Sequence, residues 1–161
     1  MGKLLILFLA SFALLSSCDE GKVIAPAIGL DGVYINGDTT VNYMDSLQTM
    51  PALKAGDEVE VRLILDGKGS SLNSLNVTSD HADVVAILVP SMDTIVAADT
   101  NFTDLEKGRM SFVDGVMNCK VTSMLRVVSP QEAETRLSFH LSARAECEAG
   151  GLLNLVLKTS E

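Results

Sequence analysis

Two long stretches in which apolar and polar residues alternate dominate the second half of the chain. They run from Met117 to Val128 and from Glu134 to Glu148, and residues 129–133 join them. Because successive side chains of a β-strand point to opposite faces, each stretch predicts a strand with one buried face. An antiparallel pairing in which paired residue numbers sum to 266 places apolar residues opposite each other and puts Cys119 opposite Cys147. The sequence therefore predicts a long hairpin.

The predicted hairpin has consequences for three side chains. Directly opposed residues in an antiparallel pair have Cα atoms roughly 4.5 to 5.5 Å apart, a separation that a disulfide tolerates. We therefore predict a disulfide between Cys119 and Cys147, with two buried thiols as the alternative. The same register places His140 on the outer face of the hairpin, opposite Arg126.

Shorter segments with strand character occur along the rest of the chain, separated by turn signals such as Asn36-Gly37 and Asp114-Gly115. The region 91–108 is ambiguous, since Thr94 to Ala98 fits an edge strand and Thr103 to Glu106 fits a helix-capping turn. Pro90 is expected to end the strand before it. The predicted strands outside the hairpin cover residues 28–35, 58–66, 72–78, 84–89, 109–113 and 152–158.

Seven or eight short strands with almost no helical period predict an all-β, antiparallel two-sheet sandwich. The segment from Leu53 to Leu65, in which Gly56-Asp57 precedes an alternating strand, resembles the second strand of immunoglobulin-like or fibronectin-like modules. The resemblance implies an immunoglobulin-like β-sandwich in the loose sense. It is loose because the chain has no tryptophan and because the predicted cysteine pair would join neighbouring strands.

The N-terminus has the form of a secretory signal, with Lys3 followed by an apolar run that is too short to span a bilayer. The run Leu15-Ser16-Ser17-Cys18 resembles the bacterial lipobox. This resemblance implies a signal peptide over residues 1–17 and a lipid on Cys18. An ordinary cleaved signal with a spare cysteine is the alternative. Lipidation of Cys18 would leave an even pair of cysteines in a compartment where disulfides persist.

The residues after Cys18 predict where the protein is held. Asp19-Glu20 resembles the signal that sends lipoproteins of Bacteroidota to the outer face of the outer membrane. We expect a lipidated tether over residues 18–27, one domain over residues 28–161, and exposure at the cell surface, with a periplasm-facing domain as the alternative. As a whole, the chain resembles the small lipoproteins of Bacteroides and relatives that carry one immunoglobulin-like domain, a resemblance that implies no activity.

Charge excludes some classes of partner. The sequence has 12 basic and 21 acidic residues. Removing residues 1–17 takes away Lys3 alone among them, so the mature chain would carry 11 − 21 = −10. Such a surface is unsuited to nucleic acid, which requires clustered Lys and Arg. It is equally unsuited to electrostatic docking on anionic lipid, so we expect the acyl chain alone to anchor the protein in the membrane.

Few residues are candidates for chemistry. The histidines are His81 and His140, and only His81 has acidic neighbours, Asp80 and Asp83. These three residues could bind a metal ion or supply a base, although a polar turn before the next strand explains them equally well. Nucleophile, phosphate-loop and zinc motifs are absent from the sequence. We therefore predict no catalytic residues and no cofactor.

Three short motifs are candidates for O-glycosylation. Asp38-Thr39-Thr40, Asp45-Ser46-Leu47 and Asp93-Thr94-Ile95 resemble the Asp-Ser/Thr-apolar sites that Bacteroidota modify. Thr39, Ser46 and Thr94 would carry the sugar, but a three-residue pattern also recurs by chance.

The function hypotheses follow from these predictions. The first is a non-enzymatic, lipid-anchored binding or accessory module, with a surface protein or a glycan-uptake assembly as its partner. The second is a fimbrial or structural subunit that assembles by strand donation. The third is a metal-dependent hydrolase built on Asp80, His81 and Asp83.

Overall fold

The computed structural model describes residues 24–92, 99, 102–104, 107–131, 134–145 and 150–161. Within these ranges it contains eight strands and one short 3-10 helix, at Leu47–Thr49. The strands are β1 (Ala27–Ile35), β2 (Glu58–Asp66), β3 (Leu72–Ser79), β4 (Val85–Met92), β5 (Arg109–Ser111), β6 (Asn118–Val127), β7 (Glu134–Ala143) and β8 (Gly151–Lys158).

The strands form two four-stranded sheets. Sheet 1 has the order β1-β2-β6-β4 and sheet 2 the order β5-β3-β7-β8, and neighbouring strands in both are antiparallel. Their inner faces share one hydrophobic core, whose largest fully buried side chains include Phe112 and Phe139. The predicted all-β, immunoglobulin-like antiparallel sandwich is confirmed.

Alternation explains why each strand buries one face. In β2 the apolar residues Val59, Val61, Leu63 and Leu65 are all buried, whereas the charged residues between them lie on the outer face. β6 and β7 follow the same rule, with Leu125 and Phe139 fully buried. The inner faces predicted for these strands are therefore correct.

The predicted pairing of β6 with β7 is wrong. β6 lies between β2 and β4 in sheet 1, and β7 lies between β3 and β8 in sheet 2. Alternation determines which face a strand buries but not which strand lies beside it. Two strands with apolar inner faces can also face each other across a core, and the six residues between Val127 and Glu134 are enough to cross the roughly 10 Å between packed sheets.

The observed strand order gives several residues different neighbours from those that the hairpin predicted. His140 lies opposite Asn76 and Leu152, not opposite Arg126. Of the last three strands, only β7 and β8 lie side by side. Cys119 lies opposite Leu65 at the start of β6 and is half-buried, and this burial raises the pKa of its thiol. Cys147 lies outside the described residues, so the disulfide stays a prediction, now without the support of a shared hairpin.

The prediction that Pro90 ends a strand is also wrong. β4 continues to Met92, with a register shift between Leu88 and Ser91. Because β4 is at the edge of sheet 1, a residue without an N–H group can be accommodated at such an irregularity. The predicted edge strand at residues 94–98 lies outside the described residues.

The predicted helix-capping turn is described in part. The Thr103 hydroxyl accepts the Ser111 N–H (3.1 Å) and donates to the Ser111 carbonyl (3.3 Å). Leu105 and Glu106 lie outside the described residues.

Candidate docking face and edge

The outer face of sheet 1 is charged, and its charges are paired. It carries four acidic residues, Asp31, Glu58, Glu60 and Asp66, and three basic residues, Arg62, Lys120 and Arg126. Arg62 pairs with Glu60 (Nε to Oε1, 2.5 Å), Lys120 pairs with Asp31 (Nζ to Oδ2, 3.1 Å), and Arg126 pairs with Glu58. The Arg62 guanidinium also lies 4.5 Å from the centre of the Tyr34 ring.

The outer face of sheet 2 has an uncharged centre, which we call the neutral face. Cross-strand rows build it from β3, β7 and β8, and all its side chains are exposed or half-buried. Its residues are Asn76, Thr78, Ser138, His140, Leu152, Asn154 and Val156.

Charged side chains surround the neutral face. Arg109 lies on β5, opposite Asn76. Glu134 and Arg136 lie at the start of β7, and Lys158 is the last residue of β8. None of the four makes an ion pair with another described residue. With Asp80, whose carboxylate accepts the Arg136 N–H, the rim carries three basic and two acidic groups in a chain whose formal net charge is −9.

Two hollows lie beside β8 on this face. One, of about 350 Å³, is lined by three apolar and four polar residues, which are Leu47, Gln48, Met50, Glu134, Asn154, Val156 and Lys158. The other, of about 330 Å³, includes Asn76, His140 and Leu152. Between them, the Ser138 hydroxyl donates to the side-chain oxygen of Asn154 (2.8 Å).

β8 is also an edge strand, and two backbone contacts show which of its groups face outward. The Arg136 N–H donates to the Asp80 carboxylate (2.8 Å), and the Arg136 carbonyl accepts the Asp80 N–H (3.1 Å), so Arg136 faces away from β8. At the other side, the Lys158 carbonyl accepts the Leu53 N–H (2.8 Å).

Backbone groups alternate in direction along an antiparallel strand. Since Lys158 faces away from β7, Leu152, Asn154 and Val156 present their N–H and C=O groups to the open side of β8.

The other described edges are closed or short. On β1, the Val33 N–H donates to the Asn42 side chain (3.0 Å), the Val33 carbonyl accepts the Tyr43 N–H (2.9 Å), and a register shift interrupts the strand after Leu30. β5 has three residues, and β4 contains Pro90. Natural edge strands are protected by such features, whereas no described residue bonds to the outward backbone groups of Leu152, Asn154 and Val156. Leu47, Gln48 and Met50 lie beside this edge, across a hollow.

The predicted metal candidates do not form a site. Asp80, His81 and Asp83 are all exposed, and the Asp80 carboxylate is bonded to the Arg136 backbone. The His81 N–H donates to the Ser79 hydroxyl (3.2 Å), and the His81 carbonyl accepts the Val84 N–H (3.0 Å). Across the described ranges, no three acidic, histidine or cysteine side chains are placed to hold a metal ion. The arrangement is that of a turn between β3 and β4.

The predicted modification sites are described only in part. Thr39 is exposed, and Ser46 is half-buried just before the 3-10 helix. The hydroxyl and N–H of Thr40 both donate to Asp38, which holds the pKa of that carboxyl below its ordinary value. Cys18 and Thr94 lie outside the described residues. O-glycosylation and lipidation stay predictions.

Sequence reasoning missed the neutral face and the open edge. A signal for the face was present, because Ser138, His140 and Ser142 after Arg136, and Leu152, Asn154 and Val156 before Lys158, carry no carboxylate or ammonium group. Which strand forms an edge depends on strand order, and the incorrect pairing of β6 with β7 implied a different order.

Residues 18–159 match the model of the family described as Domain of unknown function (DUF5035). The chain belongs to the DUF5035 family. Comparison of this DUF5035 chain with curated proteins finds no match. In the part of the chain that the structure describes, no helix has the length and apolarity needed to cross a bilayer.

Several solved structures resemble the DUF5035 chain in fold. The Reelin-N domain of F-spondin has 11% identity and a TM-score of 0.45, over 87% of this chain and 89% of that one. The human F-spondin reeler domain (fragment 2) has 10% identity and a TM-score of 0.44, over 86% and 95%. A type II cohesin domain from the cellulosome of Acetivibrio cellulolyticus has 14% identity and a TM-score of 0.42, over 83% and 94%. Likenesses of this size say nothing about what the DUF5035 protein binds.

Proposed function

We propose that this DUF5035 protein is a non-enzymatic, lipid-anchored binding module of the outer membrane. Its partner is a protein, either a surface protein or a component of a glycan-uptake assembly, and no cofactor takes part. The observation that carries the proposal is the neutral face of sheet 2. Its uncharged centre, with Leu152 and Val156 exposed, occurs in a chain with a net charge of −9.

The cost of removing water favours sheet 2 over sheet 1. Covering sheet 1 would desolvate three ion pairs, whose mutual attraction need not compensate for the lost hydration. Covering the neutral face would desolvate hydroxyl and amide groups, which a partner can satisfy with its own hydrogen bonds. Depletion of charge at the centre and a polar rim are also features of protein interfaces.

Two features support the anchor. The lipobox residues end at Cys18, which is also where the DUF5035 match begins. The nine residues 18–26 that precede β1 could extend over at most about 32 Å, so β1 would begin close to the membrane. Surface exposure rests on the acidic pair Asp19-Glu20.

Site-specific photo-crosslinking in cells of the source organism tests the binding face. A photoreactive residue replaces Ser138 on the neutral face or, as the matched control, Thr122 on the outer face of sheet 1; both positions are half-buried. We expect one dominant protein adduct from position 138 and none from position 122. Equal adducts from the two positions, or an adduct from position 122 alone, would overturn the proposal.

Lipidation and exposure need separate measurements. Metabolic labelling with a palmitate analogue should mark the protein, and Cys18→Ser should abolish the label while Cys119→Ser keeps it. Protease added to intact cells should cleave the protein while a periplasmic lipoprotein stays intact. Protection until the outer membrane is breached would place the domain in the periplasm.

A second candidate function is a structural subunit that assembles by strand donation, and the open edge of β8 is the observation that favours it. Sedimentation of the protein purified in detergent separates the two functions. A structural subunit would form concentration-dependent polymers, whereas a binding module would stay small.

A further inference from the structure

We infer that the open edge of β8 accepts an extended peptide of the partner as an added strand, and that this peptide has an apolar centre flanked by acidic residues. The inference rests on the proposed binding function and identifies the chemistry of the partner. It comes from the geometry of the edge, from the two hollows beside it and from the charges around it.

The open part of the edge fits a short strand. It extends from Leu152 to Val156, five residues that span about 17 Å. It is bounded at one end by Pro26, since a methyl group on Gly151 would lie 2.7 Å from the Pro26 carbonyl oxygen. At the other end Leu53 hydrogen-bonds to the Lys158 carbonyl. Within this length, the backbone groups of alternate residues are available to a new strand.

The hollows would provide specificity. In strand addition, main-chain hydrogen bonds supply affinity and pockets for alternate side chains supply selectivity. Leu152 lines one hollow together with residues of β3 and β7, and Val156 lines the other together with Leu47, Gln48 and Met50. An added strand with apolar side chains at alternate positions would place them toward Leu152 and toward Val156.

Two basic side chains near Val156 favour an acidic flank on the added peptide. Arg136 lies opposite Val156 and beside Asp80, and Lys158 lies opposite Glu134. The basic side chains form no ion pair with any other described residue, so acidic side chains of a peptide could pair with them.

A second copy of the chain fits this edge less well than a free peptide. An antiparallel β8 from another copy would bring its own Leu53 segment, which is hydrogen-bonded to the end of that strand, alongside the first copy. It would also add Lys158 in place of acidic flanks. An extended segment without such attachments avoids both problems.

Two blocked, fluorescein-labelled nonapeptides test the inference on the protein purified in detergent. The first has the sequence Glu-Glu-Val-Thr-Val-Thr-Val-Glu-Glu, and the second has lysine in place of every glutamate. Fluorescence anisotropy measures affinity, and hydrogen–deuterium exchange locates the bound peptide. We expect the acidic peptide to bind at least tenfold more tightly and to slow exchange over residues 151–158. Equal affinity, absence of binding, or slowed exchange confined to sheet 1 would overturn the inference.

Two variants test the edge and its charges separately. Asn154→Pro removes an N–H that faces the open side and the side-chain bond to Ser138 but leaves the backbone bonds to β7 intact, so we expect at least a tenfold loss of acidic-peptide binding with the fold retained. Arg136→Glu combined with Lys158→Glu changes exposed side chains alone and should reverse the preference in favour of the lysine peptide. Lys120→Glu on sheet 1 is the matched control and should leave the preference unchanged. An unchanged preference in the double variant would contradict the inference even if Asn154→Pro failed to fold.

Further outcomes separate this inference from the proposed function. If Asn154→Pro keeps the full yield of the crosslinked adduct at position 138, the added strand is wrong and the binding face stands. If position 138 gives no adduct in any variant, the binding function itself fails. Dimers with slow exchange over residues 151–158 in the absence of peptide would show that a second copy occupies the edge, which overturns the inference.

Discussion

The two outer faces of this sandwich differ although the sheets beneath them are built alike. Both sheets have four antiparallel strands, and both bury Val, Leu or Phe at alternate positions. Outside, sheet 1 carries seven charged residues that are largely paired with one another, whereas the centre of sheet 2 carries hydroxyls, amides, one imidazole and two apolar side chains. The inner faces form the hydrophobic core that stabilises the fold. The outer faces are free to differ, and function is to be sought in that difference.

The largest effect on stability is expected from truncating a buried side chain on the inner face of sheet 2, beneath the neutral face. Phe139 is fully buried, and its chain neighbour His140 points outward. Phe139→Ala should lower the free energy of unfolding by about 3–5 kcal/mol because it removes buried apolar surface and leaves a cavity. His140→Ala should change it by less than about 0.5 kcal/mol. Urea denaturation measures both, and similar losses for the two variants would contradict the assignment of inner and outer faces.

The next effect distinguishes the outer faces from each other. Ser138→Arg would bury an unpaired charge under the partner, and we expect binding to weaken by about 2–4 kcal/mol, roughly thirtyfold or more. Thr122→Arg, at a half-buried position of sheet 1, should leave affinity unchanged. Titration with the partner identified by crosslinking measures this contrast, and a larger loss from Thr122→Arg would reverse our assignment of the docking face.

A third prediction concerns acid and the strands of sheet 1. The Lys54 N–H and the Asn36 side chain donate to Asp57, just before β2, and hold the pKa of its carboxyl below its ordinary value. Since the folded-state pKa is depressed, the carboxylate stabilises the fold above the unfolded-state pKa, and this stabilisation is lost as pH falls through the folded-state value. Asp57→Ala should cost about 1 kcal/mol at pH 7 and should flatten the acid side of the stability curve.

Denaturation midpoints between pH 2 and pH 7 check the prediction for Asp57. Asp45→Ala, at an exposed position in the loop between β1 and β2, is the control and should leave the curve as it is. An equal acid loss in the Asp57→Ala variant would show that this carboxylate does not contribute.

The smallest effect concerns the ion pairs themselves. Arg126 and Glu58 are both partly exposed, and surface pairs of this kind contribute about 0.2–1 kcal/mol. Arg126→Ala should therefore lower the free energy of unfolding only slightly, and the difference should shrink in 1 M salt. A loss above about 2 kcal/mol would mean that the charges of sheet 1 are structural and not merely a solvated surface.

The contrast between the sheets also explains what the sequence could predict. The inner face and the bounds of β2 follow from alternation alone, because every apolar residue from Val59 to Leu65 except Ile64 is buried. The pairing of β7 with β8 is consistent with the same signal. Strand order does not follow, because residues that face each other across the core have the same pattern as residues that pair side by side.

The candidate site could be predicted only in composition. The uncharged outward positions of β7 and β8 can be read in the sequence, but their assembly into one face with Asn76 and Thr78 requires the pairing of β3 with β7. The contact of Leu53 with Lys158 bounds the open edge of β8, and the contacts of Val33 with residues 42 and 43 close the edge of β1. Each contact joins a strand to a segment outside it. Local periodicity contains no information about such contacts.

Hydrogen–deuterium exchange on the complex with the crosslinked partner tests the central claim most directly. The account predicts slower exchange over residues 134–143 and 151–158 of sheet 2, with the strands at residues 58–66 and 118–127 of sheet 1 unchanged. Slower exchange confined to the sheet 1 strands would contradict it and would make the charged face the docking surface.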